Sequence, residues 1–158
     1  MKEYLIKTFL FNDSMNKNML RKINELADNT GCVRHFSHLI NSQTKWMARI
    51  SQDPKAGEMS WWEPVYPFEK LEERWNESVQ AWINYLQSKT DEEIFKEIEF
   101  TGYDGARWKA RLIDIALQLN YHSIHHRAQM QMLIREQGVE PDFIDYIGTK
   151  YKKVNGEW

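Results

Sequence analysis

Residues 112–138 read LIDIALQLNYHSIHHRAQMQMLIREQG, and this stretch decides the fold. It carries no Pro, and its one Gly stands at the very end. Allotting about 100° per residue places Ile115, Leu119, His122, His126, Gln129 and Leu133 in one narrow helical sector. Ile113, Leu117 and Ile124 lie on other faces, so the helix is apolar nearly all round and is expected to be central. Gly138 ends it as a C-cap residue, and Pro141 follows at the expected offset.

Upstream, the chain offers three more helical stretches. Only seven Gly and four Pro punctuate the sequence, and three of the Pro fall between 54 and 67. From about Glu3 to Ala27, Leu5, Phe9, Met15, Met19, Ile23 and Leu26 recur at helical spacing, with one longer gap at Asn12-Asp13. Asn29-Thr30-Gly31 is a stop-and-restart signal with Thr30 as candidate N-cap. A second helix is expected from about Gly31 to Ile50, with Val33, Phe36, Ile40, Met47 and Ile50 on its apolar face. A third starts at Pro67 and runs to about Ser88, with Leu71, Trp75, Val79, Trp82 and Leu86 inward. Trp46 joins Trp75 and Trp82 as core by its helical spacing.

The connections are informative too. Residues 51–66 form a long loop, and loops above about 12–15 residues in a compact domain tend to be functional or disordered. Trp61-Trp62 argue against disorder, because large aromatics need something to pack against, and they suggest a pocket lid. After Thr90-Asp91-Glu92-Glu93, apolar and polar residues alternate through Ile94, Ile98 and Phe100. A β-hairpin pairing about 94–100 with 106–110 is expected. Pro141 to Ile147 reads as a short terminal helix, followed by a loose tail over about 149–158. The fold class is therefore all-α, a four-helix bundle with a short hairpin before the last long helix and a short C-terminal helix. The whole chain, 1–158, reads as one domain.

Composition excludes several functions. Lys+Arg 21 against Asp+Glu 23 leaves a formal charge of −2, and Lys150, Lys152 and Lys153 form only a small basic cluster. No nucleic-acid partner is expected from that balance. The single Cys32 forbids an intrachain disulfide, and it reads as a small buried residue rather than a nucleophile. Mean hydropathy is −0.70. No run of about 18 apolar residues suggests a membrane span. Met1–Phe11 makes a poor signal peptide because Lys7 interrupts it, so a cytoplasmic location is expected.

Chemistry concentrates in five His. His122 and His126 are four residues apart on one helix face and can converge on one ion. They interrupt a core stripe, where two imidazoles need a partner: a metal, or a carbonyl, Tyr or carboxylate. His125 points elsewhere and reads as a surface residue, and Arg127 reads as a member of an ion pair. A third ligand must come from elsewhere: His35 and His38 lie on the second helix, and the rest of the chain supplies carboxylates but no other His. Periodicity favours His35 slightly. His38 shares its sector with Ser42, Lys45 and Arg49, which reads as a solvated face.

The segment Asn120-Tyr121-His122-Ser123-Ile124-His125-His126-Arg127-Ala128-Gln129 resembles the signature of the DinB/YfiT-like superfamily of metalloenzymes. There, a His precedes a His-Arg-x-Gln motif by four residues. His38-Leu39 with Trp46 is similar to the family's first metal-ligand helix. Ala128 stands where many relatives have Gly. The resemblance implies a four-helix bundle holding a divalent metal through His38, His122 and His126, with His35 as the alternative third ligand. Zinc and nickel both suit imidazole. Gln129, on the His stripe, could orient a ligand or bound water.

Three neutral imidazoles leave open positions on the ion, as catalytic sites do. The resemblance points further, to transfer of a low-molecular-weight thiol of the bacillithiol, mycothiol or glutathione type to an electrophilic small molecule. A metal-dependent hydrolase with the same three His, or a non-catalytic metal- or ligand-binding stress protein, are the alternative expectations. A homodimer formed through the helices is a further possibility.

Overall fold

The structure is a computed structural model and describes residues 1–102 and 104–154. Four long helices form the body: α1 (Lys2–Ile23), α2 (Thr30–Ile50), α3 (Phe68–Gln87) and, after a one-turn α4 (Asp91–Ile94) and two strands, α5 (Leu112–Glu136). Each of α1 and α2 packs against both α3 and α5, so α1 faces α2 across one diagonal and α3 faces α5 across the other.

Contacts along the helices fix their directions. Asn12 meets Asn120 and Asn16 meets Ser123, so α1 and α5 run parallel. Cys32 Sγ lies 3.9 Å from the Met130 carbonyl and His38 meets His122, so α2 and α5 are antiparallel. Phe36 packs on Trp75, and Trp82 Nε1 donates to the Gln43 carbonyl at 3.0 Å, so α2 and α3 are parallel. The bundle is thus up-down-down-up. The chain between α2 and α3 must therefore travel back along the bundle, and residues 51–67 do so.

One apolar core joins all four helices. Leu71, Trp75, Val79, Trp82 and Leu86 are buried on α3, as their spacing predicts. Trp82 stacks on Phe9 at 5.8 Å between ring centroids, and Trp75 Nε1 donates to Asp13 Oδ1 at 3.0 Å. Each indole thus buries its ring and still satisfies its N–H, the usual requirement for a buried Trp. Trp46 is only half-buried.

The remaining elements refine the sequence reading. Thr30 is the first residue of α2 and Asn29 occupies the N-cap position, while Asp28 Oδ1 accepts from the Thr30 N–H at 2.9 Å. Pro67 is the N-cap of α3. The long loop contains a 3₁₀ turn, Pro54–Gly57, opened by the Asp53 side chain accepting from Lys55 N. Thr90 and Glu93 form a reciprocal capping box, so 91–94 become helical and Ile94 is buried rather than strand-paired. The hairpin consequently starts later: β1 (Glu97–Thr101) pairs antiparallel with β2 (Arg107–Arg111), Ile98 opposite Ala110 and Phe100 opposite Trp108. Gly138 closes α5 at φ +77°, a backbone geometry suited to glycine. The C-terminal helical piece is a 3₁₀ turn at Tyr146–Thr149, later and tighter than the 141–147 helix expected. Of the tail expected to be loose, 155–158 lie outside the described residues.

Three expectations about faces change. Tyr121, Ile124 and Met132 are exposed, so α5 has an outer face instead of being central. On α1, Asn12 and Asn16 are buried while Met15 is half-buried. Arg127 forms no ion pair among the described residues: buried at 1 % exposure, it donates to Asn12 Oδ1 at 2.6 Å, Asn16 Oδ1 at 3.2 Å and Ser123 Oγ at 3.1 Å. The gap in the apolar stripe of α1 is therefore an amide cradle for this guanidinium.

Candidate metal centre

The antiparallel pairing of α2 with α5 brings their His residues together at mid-bundle. The ligand-capable nitrogens of His38, His122 and His126 all lie within 4.8 Å of one another. His38 Nε2 and His122 Nε2 are 2.8 Å apart. Among the described residues, no carboxylate or thiolate belongs to this group.

The protonation of His38 follows from its partners. Its Nδ1–H donates to the Trp61 carbonyl at 2.6 Å, which leaves Nε2 as a lone pair facing His122. A lone pair that close to a second ring nitrogen needs a proton or a cation between them. The donor set therefore fits a divalent ion that accepts imidazole nitrogen. Ser42 Oγ lies 3.4 Å from His122 Nε2.

Burial keeps these rings neutral. His126 is pushed down to about 3, first by burial and then by the charges of His122, His38, His35 and His125. His122 is held at about 4 by burial, then by His38 and His125. Burial also lowers His38, against the opposing effect of its hydrogen bond to the Trp61 carbonyl. Neutral imidazole is the form a metal takes.

The loop contributes the cover. Trp62 stacks on His38 with ring centroids 3.9 Å apart and planes 11° from parallel. It also meets His126 edge-on at 5.9 Å. Trp61 faces inward beside Trp46, and together with Leu119, Gln118, Ser42 and the His pair they line a cavity of about 210 Å³. Of the two Trp, Trp61 lines this cavity and Trp62 lies against His38 and His126.

His35 is close but separate. Its Nδ1 lies 3.0 Å from His126 Nδ1, and it falls outside the three-nitrogen group. Gln129 occupies the same stripe one turn beyond His126; its Oε1 is buried without a hydrogen-bond partner among the described residues. His125 is exposed, as expected. Cys32 is 1 % exposed, and burial followed by the Asp28 charge pushes its thiol up to about 11, which suits packing and not nucleophilic attack.

The solvated face expected around His38 is buried. His38, Ser42, Lys45 and Arg49 are each between 2 % and 6 % exposed. The reason is the cover laid over them. Lys45 Nζ donates to the Met59 carbonyl and sits 4.6 Å from the Trp61 ring centroid. The Arg49 guanidinium lies 5.0 Å from both the Trp46 and Trp61 rings and 5.6 Å from Phe100. Lys45 and Arg49 are the residues that sequence reasoning missed. Their signal was the i, i+4 spacing Lys45–Arg49 in line with His38 and Ser42, read there as a solvent face.

No helix among the described residues is long and apolar enough to cross a membrane. No match is found among curated proteins or among solved structures. The sequence model of the DinB family does match, over residues 13–157, a span that includes every His of the cluster. With nearly the whole sequence matched and three His gathered between α2 and α5, the chain belongs to the DinB family.

Proposed function

We propose that this protein is a metal-dependent transferase that joins a low-molecular-weight thiol to an electrophilic small molecule, with His38, His122 and His126 as the metal ligands. The observation that carries the reading is the convergence of three neutral imidazoles, with no anionic side chain among them. A zinc or nickel ion held by His38, His122 and His126 would keep its full positive charge and would lower the pKa of a bound thiol or water.

The chain's own residues supply the rest. The Trp61 carbonyl fixes the His38 tautomer, and the Trp62 ring fixes its plane. Trp46, Trp61 and Leu119 offer apolar walls for a small electrophile beside the His pair. In the reaction class proposed, a sulfur–carbon bond forms, the leaving group departs with its electron pair, and the thiol proton passes to water. Gln129, with its free buried carbonyl, is available to orient a ligand.

Metal analysis of the purified protein, followed by cobalt substitution and titration with a thiol panel, tests this. The expected result is near-stoichiometric metal and a thiolate-to-cobalt charge-transfer band. Metal without any thiol response would remove the transferase reading and turn the question to hydrolysis at the same ligands. Absence of bound metal, with no uptake of added zinc, nickel or cobalt, would remove the metal centre itself.

A further inference from the structure

His35 stands at the edge of the cluster and has no part in the site so far described. It lies one turn before His38 on α2. Its Nδ1 is 3.0 Å from Nδ1 of His126, and the two ring centroids are 5.2 Å apart. It is not a member of the three-nitrogen group that His126 joins.

Two bare lone pairs do not face each other at that distance, so one of the two Nδ1 atoms carries a hydrogen. A ring nitrogen has one in-plane bonding direction. The Nδ1 of His126 that meets His35 is therefore not the atom that meets an ion, and Nε2 is left for that role. A ligating nitrogen must offer its lone pair, so the proton of a neutral, ligating His126 belongs on Nδ1. His35 then accepts with its own Nδ1 and carries its proton on Nε2. That placement suits the burial of the two rings. His126 is 5 % exposed, whereas His35 is only half-buried and so is the ring nearer to water.

The crossover loop holds His35 in turn. Trp62 meets its ring edge-on, with centroids 5.9 Å apart and planes at 67°. The Arg34 guanidinium lies 5.3 Å from the centroid of the same indole. His35 is thus set between Trp62 and His126. The arrangement repeats what happens at His38, whose Nδ1–H donates to the Trp61 carbonyl. An acceptor on the outer N–H of a ligating imidazole fixes its tautomer and ring plane and raises its basicity toward the ion.

From these contacts we infer that His35 is a positioning residue of the metal centre: its Nδ1 lone pair accepts the Nδ1–H of His126 and aims His126 Nε2 at the ion. The inference rests on the ligand set His38, His122 and His126 proposed above, and not on the thiol chemistry. It gives His35 a role other than that of a fourth ligand.

Zinc affinity, measured at neutral pH by competition with a chromophoric chelator, tests this. His35→Leu should bind zinc about 10–100-fold more weakly than the unaltered chain. His35→Gln, whose amide carbonyl can accept the same hydrogen, should recover most of that loss. Both variants should still fill at saturating metal, with the d–d spectrum of the cobalt form unchanged, because no ligand is removed. In the zinc-loaded unaltered protein, nitrogen–proton NMR correlations of the imidazoles should show His126 protonated at Nδ1 and His35 at Nε2. Unchanged affinity in His35→Leu, an equal loss in both variants, a cobalt spectrum that has lost a nitrogen ligand, or a His126 protonated at Nε2 would each overturn the inference. If His35→Leu fails to fold, the NMR tautomers of the unaltered protein decide. Failure of the ligand set looks different: a protein that takes up no zinc removes the metal centre and this role with it, whereas full uptake with any of those four results removes the role of His35 alone.

Discussion

Acidification of the metal-free protein is the most direct test of the His cluster, because its magnitude follows from burial. Folded His122 stands at about 4 and His126 at about 3, both below the ordinary imidazole value near 6.5 that they regain on unfolding. The unfolded chain therefore binds more protons than the folded one between these values. Stability is complete above about pH 6.5 and is lost as pH falls toward the folded values. At pH 5 each unfolded ring has gained nearly a full proton while each folded ring has gained almost none, which costs about 2 kcal/mol per ring and about 4 kcal/mol for the two. That is a large share of the roughly 5–15 kcal/mol that holds a typical domain.

Urea unfolding at pH 7, 6 and 5 measures this. Acidic side chains also titrate over that range, so the decisive quantity is a difference. The double variant His122→Gln, His126→Gln should lose about 4 kcal/mol less than the wild-type chain between pH 7 and pH 5. Any constant cost of burying Gln cancels in that slope. An unchanged slope would refute the reasoning and mean that the rings are solvated, or already protonated, in the folded protein.

Other perturbations probe other parts of the molecule. His38→Ala should abolish metal binding while His35→Ala retains it, as read by metal content after dialysis, since His35 stands outside the three-nitrogen group. Trp62→Ala should raise the His38 pKa toward its ordinary value in an NMR titration, because desolvation is the main cause of its depression and Trp62 covers the ring. Asn12→Leu should destabilise the fold by about 3 kcal/mol in urea, since it removes an acceptor from a buried charge. A loss below about 1 kcal/mol would mean that Asn16 and Ser123 alone suffice for Arg127.

Much of the bundle was legible because its signals are local. Leu71, Trp75, Val79, Trp82 and Leu86 recur at helical spacing, and all five are buried. His122 and His126 were legible for the same reason, being one turn apart. What periodicity misread depends on residues distant in sequence. Lys45 and Arg49 count as solvated in any helical wheel of α2, yet Trp61 and Phe100 cover them. Asn12 and Asn16 interrupt a stripe on α1 for a reason found on α5, the Arg127 guanidinium. His38 reads as solvated from its own helix, and only the family resemblance grouped it with His122 and His126, beside which the structure buries it.

The connection between α2 and α3 explains why these misreadings cluster on one face. Because α2 and α3 are parallel, residues 51–67 must return along the length of the bundle, and they do so over the sector of α2 that holds His38, Ser42, Lys45 and Arg49. An up-down-up-down bundle of the same four helices would need only a short turn at this point. That sector would then lie open to water, as its polarity suggests, and His38 would titrate as an exposed imidazole. The crossover removes water from the face and supplies Trp61 and Trp62 as its cover. It buries two cations along with His38, and neither has an acid paired with it among the described residues. A polar helix face buried in this way holds electrostatic demand that its own side chains meet only in part, as the unpartnered Arg49 Nε shows among the described residues. The topology of the chain thus accounts for the depressed imidazole pKa values beneath the loop.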